Sequence, residues 1–231
     1  MIDMLDIEIQ PQTYKAIEQA RPALVKWHEQ LGVTDPQDTA LHTQIRNPIN
    51  CVFTAPLISA HTCEAILAEA QKHTFTPNAQ EDQLRQMPEV ILRDVDFDWY
   101  EQMLGFADEY LNPLFESTIG RRVETGTIQI ANYNPVDKSQ GAWHYDASAD
   151  ISCTIPLNTG QYEGGGTDFW DYTEVKHLPP QPSGTAVWWP SYNTMHRGCP
   201  VTKGDRYLLV FWLQSDPTER AQDRAWSGFN A

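Results

Sequence analysis

The second half of the chain constrains the fold most. From Val123 onward, short runs rich in β-branched and aromatic residues alternate with glycine, proline, asparagine and aspartate. These strand-like runs are residues 126–133, 142–147, 151–157, 167–170, 185–189, 194–196 and 206–214. Strand-length runs at such spacing, without internal repeats, predict a β-sandwich or barrel of the jelly-roll type.

The first half reads differently, because apolar residues recur there at helical spacing. Ser59 has the side chain that favours an N-cap, Gly120 follows the last periodic residue of its segment, and Pro113 is expected to kink or break that segment. The predicted helices cover residues 12–31, 59–73 and 98–119.

The remaining segments complete the predicted layout. Residues 47–55 resemble a short strand, and residues 74–90, 134–141 and 171–182 are expected to be loops of the kind that carry specificity. We therefore expect an α+β protein that is mostly β, with N-terminal helices supporting one sheet. Residues 1–231 are predicted to form a single domain, in which residues 1–120 are mainly helical support and residues 121–215 form the jelly-roll core.

Charge and cysteine content limit the partners and the compartment. The net charge of −15 argues against nucleic acid and anionic membrane, because both need clustered Lys and Arg. No apolar run approaches membrane-spanning length, and the acidic start lacks a signal-peptide pattern. The four cysteines lack zinc-ligand or redox spacing, which predicts reduced thiols in a cytoplasmic protein. The sequence makes no prediction about oligomeric state.

A candidate metal site begins at His144-Tyr-Asp146. In a strand, residues two apart point to the same face, so His144 and Asp146 can converge on one ion. His196 follows a buried-looking strand and adds a second imidazole. Two histidines and one carboxylate form the facial triad of non-haem iron oxygenases, which keeps positions open for cosubstrate and oxygen.

Arg206 is the candidate anchor for a diacid, because a planar guanidinium grips a carboxylate in a bidentate way. If Lys203 and Gly204 centre a hairpin, Arg206 pairs with Val201, about 16 Å along the strand from His196. Strict alternation would then put His196 and Arg206 on opposite faces, unless a bulge intervenes. The glycines of residues 164–166 are expected to allow a close backbone approach or a bulge nearby.

These motifs, in this order, resemble the iron(II)- and 2-oxoglutarate-dependent oxygenase superfamily over residues 88–213. Within it, the nearest resemblance is to the catalytic domain of procollagen lysyl hydroxylases. The matching segments are Tyr133-Asn-Pro, His144-Tyr-Asp-Ala-Ser, Leu157-Asn158, Tyr162-Glu-Gly-Gly-Gly and Pro200-Val-Thr-Lys-Gly-Asp-Arg-Tyr207. The stretch between His144-Tyr-Asp and Leu157-Asn158 looks one residue longer than in those enzymes, and their upstream glycosyltransferase-like domains have no counterpart, which puts collagen as substrate in doubt.

The resemblance implies a double-stranded β-helix (jelly-roll, cupin-like) core. It also implies Fe²⁺ ligands at His144, Asp146 and His196, a 2-oxoglutarate anchor at Arg206, and Tyr133 as a second group near the cosubstrate. The implied activity is hydroxylation of an unactivated C–H bond with O₂ and 2-oxoglutarate, releasing succinate and CO₂, with ascorbate as an optional additional cofactor.

The substrate class stays open among an amino acid, a peptide and another small molecule. Lysine or arginine side chains are favoured by the lysyl hydroxylase likeness and by carboxylates near the proposed ligands, namely Asp137, Asp150, Glu163, Asp168 and Asp171. Solvated loop carboxylates would give the same pattern. Two alternatives remain: the same chemistry on a metabolite that is not an amino acid, and a non-catalytic cupin-like metal-binding protein.

Overall fold

The fold is built around one large antiparallel sheet. A computed structural model describes residues 7–29, 40–77, 79 and 86–215. Within them, the strands are β1 (Arg46–Ile49), β2 (Val52–Pro56), β3 (Thr76–Pro77), β4 (Pro88–Ile91), β5 (Thr125–Tyr133), β6 (Ile151–Pro156), β7 (Glu163–Gly164), β8 (Thr167–Asp171), β9 (Glu174–Leu178), β10 (Thr185–Pro190), β11 (His196–Gly198), β12 (Val201–Lys203) and β13 (Arg206–Gln214). Eight of them form the main sheet in the order β1-β2-β10-β6-β13-β5-β4-β3.

Two smaller sheets, β11-β8-β9 and β12-β7, complete the jelly roll. Side chains alternate between the two faces of the main sheet, and each face packs into its own buried cluster. On β5, Ile128 and Ile130 join a large core with the helices, whereas Ala131 and Tyr133 pack with Val201 of β12. The face turned towards the small sheets is therefore the one that can carry a site.

The helices precede β5 in the chain and cover the other face of the main sheet. They are α1 (Pro11–Glu29), a 3₁₀ turn (Ala40–Thr43), α2 (Ala60–Ala70), α3 (Leu92–Val95), α4 (Phe97–Phe106) and α5 (Asn112–Ile119), with a π-helical turn (Ala107–Leu111) between the last two. Ser59 caps α2 by accepting a hydrogen bond from the Thr62 N–H at 3.1 Å, as predicted. The segment does not break at Pro113, because the helix runs through the π-helical turn into α5, whereas the left-handed Gly120 that ends α5 is confirmed.

The predicted fold class is confirmed, and the bounds of five strands agree with prediction to within one residue, those of β5, β6, β8, β10 and β13. The single strand expected over residues 47–55 is wrong. It is a hairpin of β1 and β2, because Cys51 adopts a φ of 59° and turns the chain back. The end of the helix expected over residues 12–31 lies outside the described residues.

Three further expectations need correction. Residues 74–90 were expected as a loop, yet β3 and the start of β4 lie there and extend the main sheet; residues 78 and 80–85 lie outside the described residues. Residues 142–147 form only a bridge from His144 to His196, because the chain turns after Asp146. Residues 171–182, also expected as a loop, contain β9, which pairs with β8 along its whole length. The charged Glu174 and Lys176 interrupt the apolar pattern by which a strand could have been predicted.

Within the residues described, no helix is both long enough and apolar enough to cross a membrane. The assignment of residues 1–231 to a single domain stays a prediction. The segment before residue 120 contributes strands β1–β4 as well as helices to the structure.

The N-cap of α2 gives a stability test. Ser59→Ala removes the acceptor for the Thr62 N–H, so we expect the free energy of unfolding to fall by about 1 kcal/mol. Urea denaturation would measure this, with Ser148→Ala at an exposed loop position as the matched control. An unchanged midpoint for Ser59→Ala would show that the cap contributes nothing.

Candidate metal and cosubstrate site

His144 and His196 are joined by their backbones. Each donates its N–H to the carbonyl of the other at 3.0 Å, in a bridge between the segment before Asp146 and strand β11. The two imidazole centroids are therefore 4.3 Å apart. A pair separated by 52 positions in sequence thus becomes one unit of the site.

The histidine ring orientations suit metal binding. Nδ1 of His144 donates to the Ala142 carbonyl at 2.8 Å, and Nδ1 of His196 donates to the Thr194 carbonyl at 3.0 Å. Since Nδ1 carries the proton, Nε2 of each ring presents a lone pair. Such backbone contacts fix the tautomer and ring orientation of metal-binding histidines.

Asp146 completes the cluster. Its Oδ1 lies 3.3 Å from Nε2 of His144, and its Oδ2 lies 3.4 Å from Nε2 of His196. The Nε2 lone pairs of the two histidines repel the Asp146 oxygens that they face, and a cation bound between them would remove this repulsion. One ligand atom from each of the three residues falls within 4.8 Å of the other two, so the donor set fits a divalent transition metal.

The Asp146 carboxylate is held from behind. The Ser152 hydroxyl donates to Oδ2 at 2.5 Å and contacts the Ser191 hydroxyl at 2.8 Å. Burial acts to raise the pKa of Asp146, but the neighbouring imidazoles, His196 foremost, and the hydrogen bond from the Ser152 hydroxyl leave this pKa below its ordinary value. Asp146 is therefore an anion, as a metal ligand must be.

His196 is enclosed by aromatic rings. Trp189 meets its imidazole edge-on at a centroid distance of 4.7 Å, and Phe169 lies at 6.1 Å. This burial lowers the pKa of His196 below its ordinary value despite the neighbouring carboxylate. The imidazole stays neutral near neutral pH and keeps its lone pair for a metal.

Arg206 begins β13 and points into the same interior. Its side chain is buried, Nη1 donates to the Gly166 carbonyl at 2.9 Å, and Nε has no hydrogen-bond partner within the described part of the chain. Leaving donors of a buried charge unpaired costs several kcal/mol. A ligand carboxylate would offset that cost, so the residue fits a diacid cosubstrate.

Tyr133 lies directly across from Arg206 in the pairing of β5 with β13. The guanidinium carbon of Arg206 is 5.5 Å from the Tyr133 ring centroid, within cation–π range. A Cβ at Gly198 would come within 3.1 Å of that ring, so glycine is needed there for Tyr133 to pack. No sequence pattern indicates this use of Gly198.

The expected pairing of Arg206 with Val201 is wrong. Val201 pairs with Gly164 of β7, whereas Arg206 pairs with Tyr133 of β5. His196 and Arg206 belong to different sheets that face each other. The alternation of side chains along a single hairpin therefore does not apply to this pair. Both side chains reach the same cavity without a β-bulge.

The glycine run has a specific purpose, as expected. Gly164, Gly165 and Gly166 all have positive φ, from 78° to 94°. A Cβ at Gly165 would lie 3.2 Å from Cδ of Arg206, and one at Gly166 would lie 2.8 Å from the His177 ring. The run leaves room for the arginine stem and brings the Gly166 carbonyl to the guanidinium.

An open cavity of about 50 Å³ joins these groups. It is bordered by His144, Asp146, His196, Arg206 and Tyr133. Its other walls come from the inner faces of β5, β6, β10 and β13, including Gln129, Thr154, Trp189 and Trp212. A jelly roll with two histidines and a carboxylate at one end of such a cavity and a buried arginine lining it has the architecture of a non-haem metal oxygenase.

Comparison with known proteins agrees with that class. A family model of the 2OG-Fe(II) oxygenase superfamily matches residues 128–214. A multifunctional procollagen lysine hydroxylase and glycosyltransferase from Caenorhabditis elegans is 30% identical over 175 residues, which cover 70% of this chain and 24% of the relative. The chain spans about a quarter of the length of the curated lysine hydroxylases that it matches.

Solved structures share the fold. A Pseudomonas putida prolyl-4-hydroxylase aligns with a TM-score of 0.58 at 17% identity, covering 72% of this chain and 93% of that chain. A Trichoplax adhaerens prolyl hydroxylase, in complex with a hypoxia inducible factor oxygen degradation domain peptide fragment, aligns with a TM-score of 0.59 at 13% identity and covers 91% and 95%.

Residues 128–214, which include the cluster residues, Tyr133 and Arg206, are the part of the chain that matches the 2OG-Fe(II) oxygenase superfamily. The cofactors of this superfamily are Fe²⁺ and 2-oxoglutarate, and the His-Asp-His cluster and the buried Arg206 suit them in charge and donor type.

The Ser152 hydrogen bond, which sequence analysis missed, gives a test of the cluster. Ser152→Ala should lower the affinity for Fe²⁺ about 10- to 100-fold, the usual effect of removing a group that orients a ligand. Anaerobic calorimetry would measure it. Ser191→Ala, which removes a hydroxyl that touches Ser152 and not Asp146, should cost less. Wild-type affinity in Ser152→Ala would show that the hydroxyl does not support the metal.

Proposed function

We propose that this protein is a 2-oxoglutarate-dependent hydroxylase that acts on an unactivated C–H bond of an amino-acid or peptide side chain. The observation that carries the proposal is the joint presence, on one cavity, of the His144–Asp146–His196 cluster and buried Arg206. A passive metal-binding protein needs the cluster but has no use for a diacid anchor. Arg206 therefore argues against the cupin-like binding protein.

The chain's own residues have distinct tasks in this reaction. His144, Asp146 and His196 would hold Fe²⁺ through three protein ligands, and Arg206 would hold the distal carboxylate of 2-oxoglutarate, beside Tyr133. When bound, iron and 2-oxoglutarate supply the oxidising power: O₂ gives one oxygen atom to succinate, formed with CO₂, and one to the substrate C–H bond. The surrounding Trp189 and Phe169 keep water away from His196.

A cationic side chain, lysine or arginine, is the substrate class that we favour. The lysine hydroxylase relative supports it, and so does the Glu89 carboxylate, which is buried behind the cavity wall. Cavity-lining Gln129 donates to Oε2 of Glu89 at 2.7 Å. Four of the carboxylates noted in the sequence instead contact protein groups: Asp137 with Asn134, Asp150 with Ser215, Glu163 with Lys203 and Asp168 with Arg197.

We also propose a cytoplasmic location, because the four cysteines are free thiols. Cys51 is exposed while the other three are buried. Such a set is typical of a reducing compartment.

The activity itself is tested with the metal ligands. With Fe²⁺, 2-oxoglutarate and a panel of lysine and arginine peptides, free amino acids and neutral metabolites, wild-type protein should release succinate and add one oxygen atom to a substrate. His196→Ala should abolish both while the circular dichroism spectrum stays unchanged, because a three-ligand chelate is lost. The exposed-histidine control, His61→Ala, should keep full activity. Metal binding without succinate from any substrate would favour the passive metal-binding alternative.

The cosubstrate anchor is tested separately. Arg206→Ala should raise the KM for 2-oxoglutarate about 30- to 150-fold, the equivalent of losing a charge-assisted bidentate contact of about 2–3 kcal/mol. Arg206→Lys should recover only part of the loss, since lysine lacks the planar fork. Arg46→Ala, at an exposed strand edge, serves as control. An unchanged KM in Arg206→Ala would assign the anchor to another residue.

Substrate charge is tested at Glu89. Glu89→Gln removes a buried negative charge behind the cavity wall, so it should lower kcat/KM for lysine or arginine substrates by weakening their electrostatic attraction, while the KM for 2-oxoglutarate stays constant. Capture of a cation should also slow as salt shortens the Debye length to about 10 Å. If neutral substrates are hydroxylated and cationic ones are not, the preference for lysine or arginine is wrong and the oxygenase assignment stands.

A further inference from the structure

A second cluster of metal-ligand side chains lies on the small sheet. Asp168 of β8 pairs across the sheet with His177 of β9, and Cys199 follows β11 directly. One ligand atom of each falls within 4.8 Å of the other two. Phe169, next to Asp168 on β8, contacts the His196 ring. Since neighbouring residues of a strand point to opposite faces, the second cluster lies on the face away from the first.

The spacing of this cluster matches a tetrahedral zinc site. Nδ1 of His177 lies 3.5 Å from Sγ of Cys199 and 2.9 Å from Oδ1 of Asp168. Bonds of about 2.3 Å to sulfur and about 2.0 Å to nitrogen and oxygen, at the tetrahedral angle, give an S···N edge of about 3.5 Å and an N···O edge of about 3.3 Å. Small side-chain shifts would therefore admit the ion.

Arg197 holds the carboxylate of the cluster in a fixed orientation. Arg197 donates from Nε at 3.1 Å and from Nη2 at 2.9 Å to Oδ2 of Asp168, which orients the carboxylate and leaves Oδ1 turned towards His177. Burial acts to raise the pKa of Asp168, but hydrogen bonds from Cys199, His177 and Arg197 leave it lowered. The carboxylate is therefore ionised.

Cys199 is a protonated thiol when no cation is present, because burial and Asp168 raise its pKa to about 12. Coordination would break the S–H bond, release the proton to solvent and form a metal–thiolate bond. The side chain of His177 is half exposed, so solvent can supply a fourth ligand.

We propose that Asp168, His177 and Cys199 form a second metal site, which takes a thiophilic divalent cation of the zinc class. A thiolate, an imidazole and one carboxylate select such an ion over Mg²⁺ or Ca²⁺, which prefer oxygen ligands. The ligands are spread over β8, β9 and the end of β11, so the ion ties together all three strands of the small sheet. Their sequence separation explains why cysteine spacing gave no sign of the site.

The site would also support the cosubstrate pocket. The Gly166 carbonyl accepts from the Cys199 N–H at 3.1 Å and from Nη1 of Arg206 at 2.9 Å. A cation bound by Cys199 therefore fixes the backbone that positions the guanidinium. We expect Zn²⁺ to raise the melting temperature of the full chain, since a ligand that binds only the folded state stabilises it.

Cobalt distinguishes the two sites, because a thiolate bound to Co²⁺ gives an intense near-ultraviolet charge-transfer band. The His144–Asp146–His196 cluster has no sulfur and cannot produce it. Two equivalents of Co²⁺, added anaerobically to the metal-free full chain, should give this band. Zn²⁺ should then abolish the band, while Mg²⁺ at the same concentration should not. Absence of the band at saturating Co²⁺, or equal displacement by Mg²⁺, would overturn the proposal.

Variants assign the band to its ligands. Cys199→Ser should eliminate it, and His177→Gln should weaken Co²⁺ binding at this site at least tenfold. Cys51→Ser, at the exposed cysteine, should leave it intact. A band that survives Cys199→Ser would refute the site. Asp146→Ala should retain the band, so this result does not depend on whether the first cluster binds iron.

Discussion

The pairing of β13 with β5 is the constraint on which the rest of the structure depends. Nine consecutive residue pairs, from Arg206 with Tyr133 to Gln214 with Thr125, fix the register of these two strands. A shift by one residue would exchange every side chain between the two faces of the sheet. Leu209, Phe211 and Leu213 would then leave the helical core, and Arg206 would leave the cavity.

The same alternation distributes stability and chemistry over opposite faces of single strands. On β6, Ile151, Cys153 and Ile155 belong to the large core, while Ser152 holds Asp146 from the other face. On β10, Trp188 packs among the helices and Trp189 encloses His196. Burying the charged and polar groups of the site costs free energy, and burial of the apolar side chains on the opposite face of the same strands offsets that cost.

Local sequence pattern was sufficient to predict strand β13 and the cap of α2. Strand β13 could be predicted from its uninterrupted apolar run, and the cap at Ser59 from one side chain and its position. Residues 142–147 and 171–182 could not, because pairing with a distant strand decides their conformation. The single bridge from His144 to His196 and the full pairing of β9 with β8 are such long-range contacts.

The residues of the site could be predicted from their types and order in the sequence, whereas their relative positions depend on the topology of the sheets. His144, Asp146, His196, Arg206 and Tyr133 were identified from motifs, and the structure brings them to one cavity. The predicted pairing of Arg206 with Val201 is wrong because it placed His196 and Arg206 on one hairpin, whereas they lie on two different sheets. In a jelly roll two sheets face each other, so groups on different sheets can converge whatever their parity along the chain. Whether a residue has an odd or even position in its strand determines the face on which its side chain lies. The packing of one sheet on the other determines which faces come together.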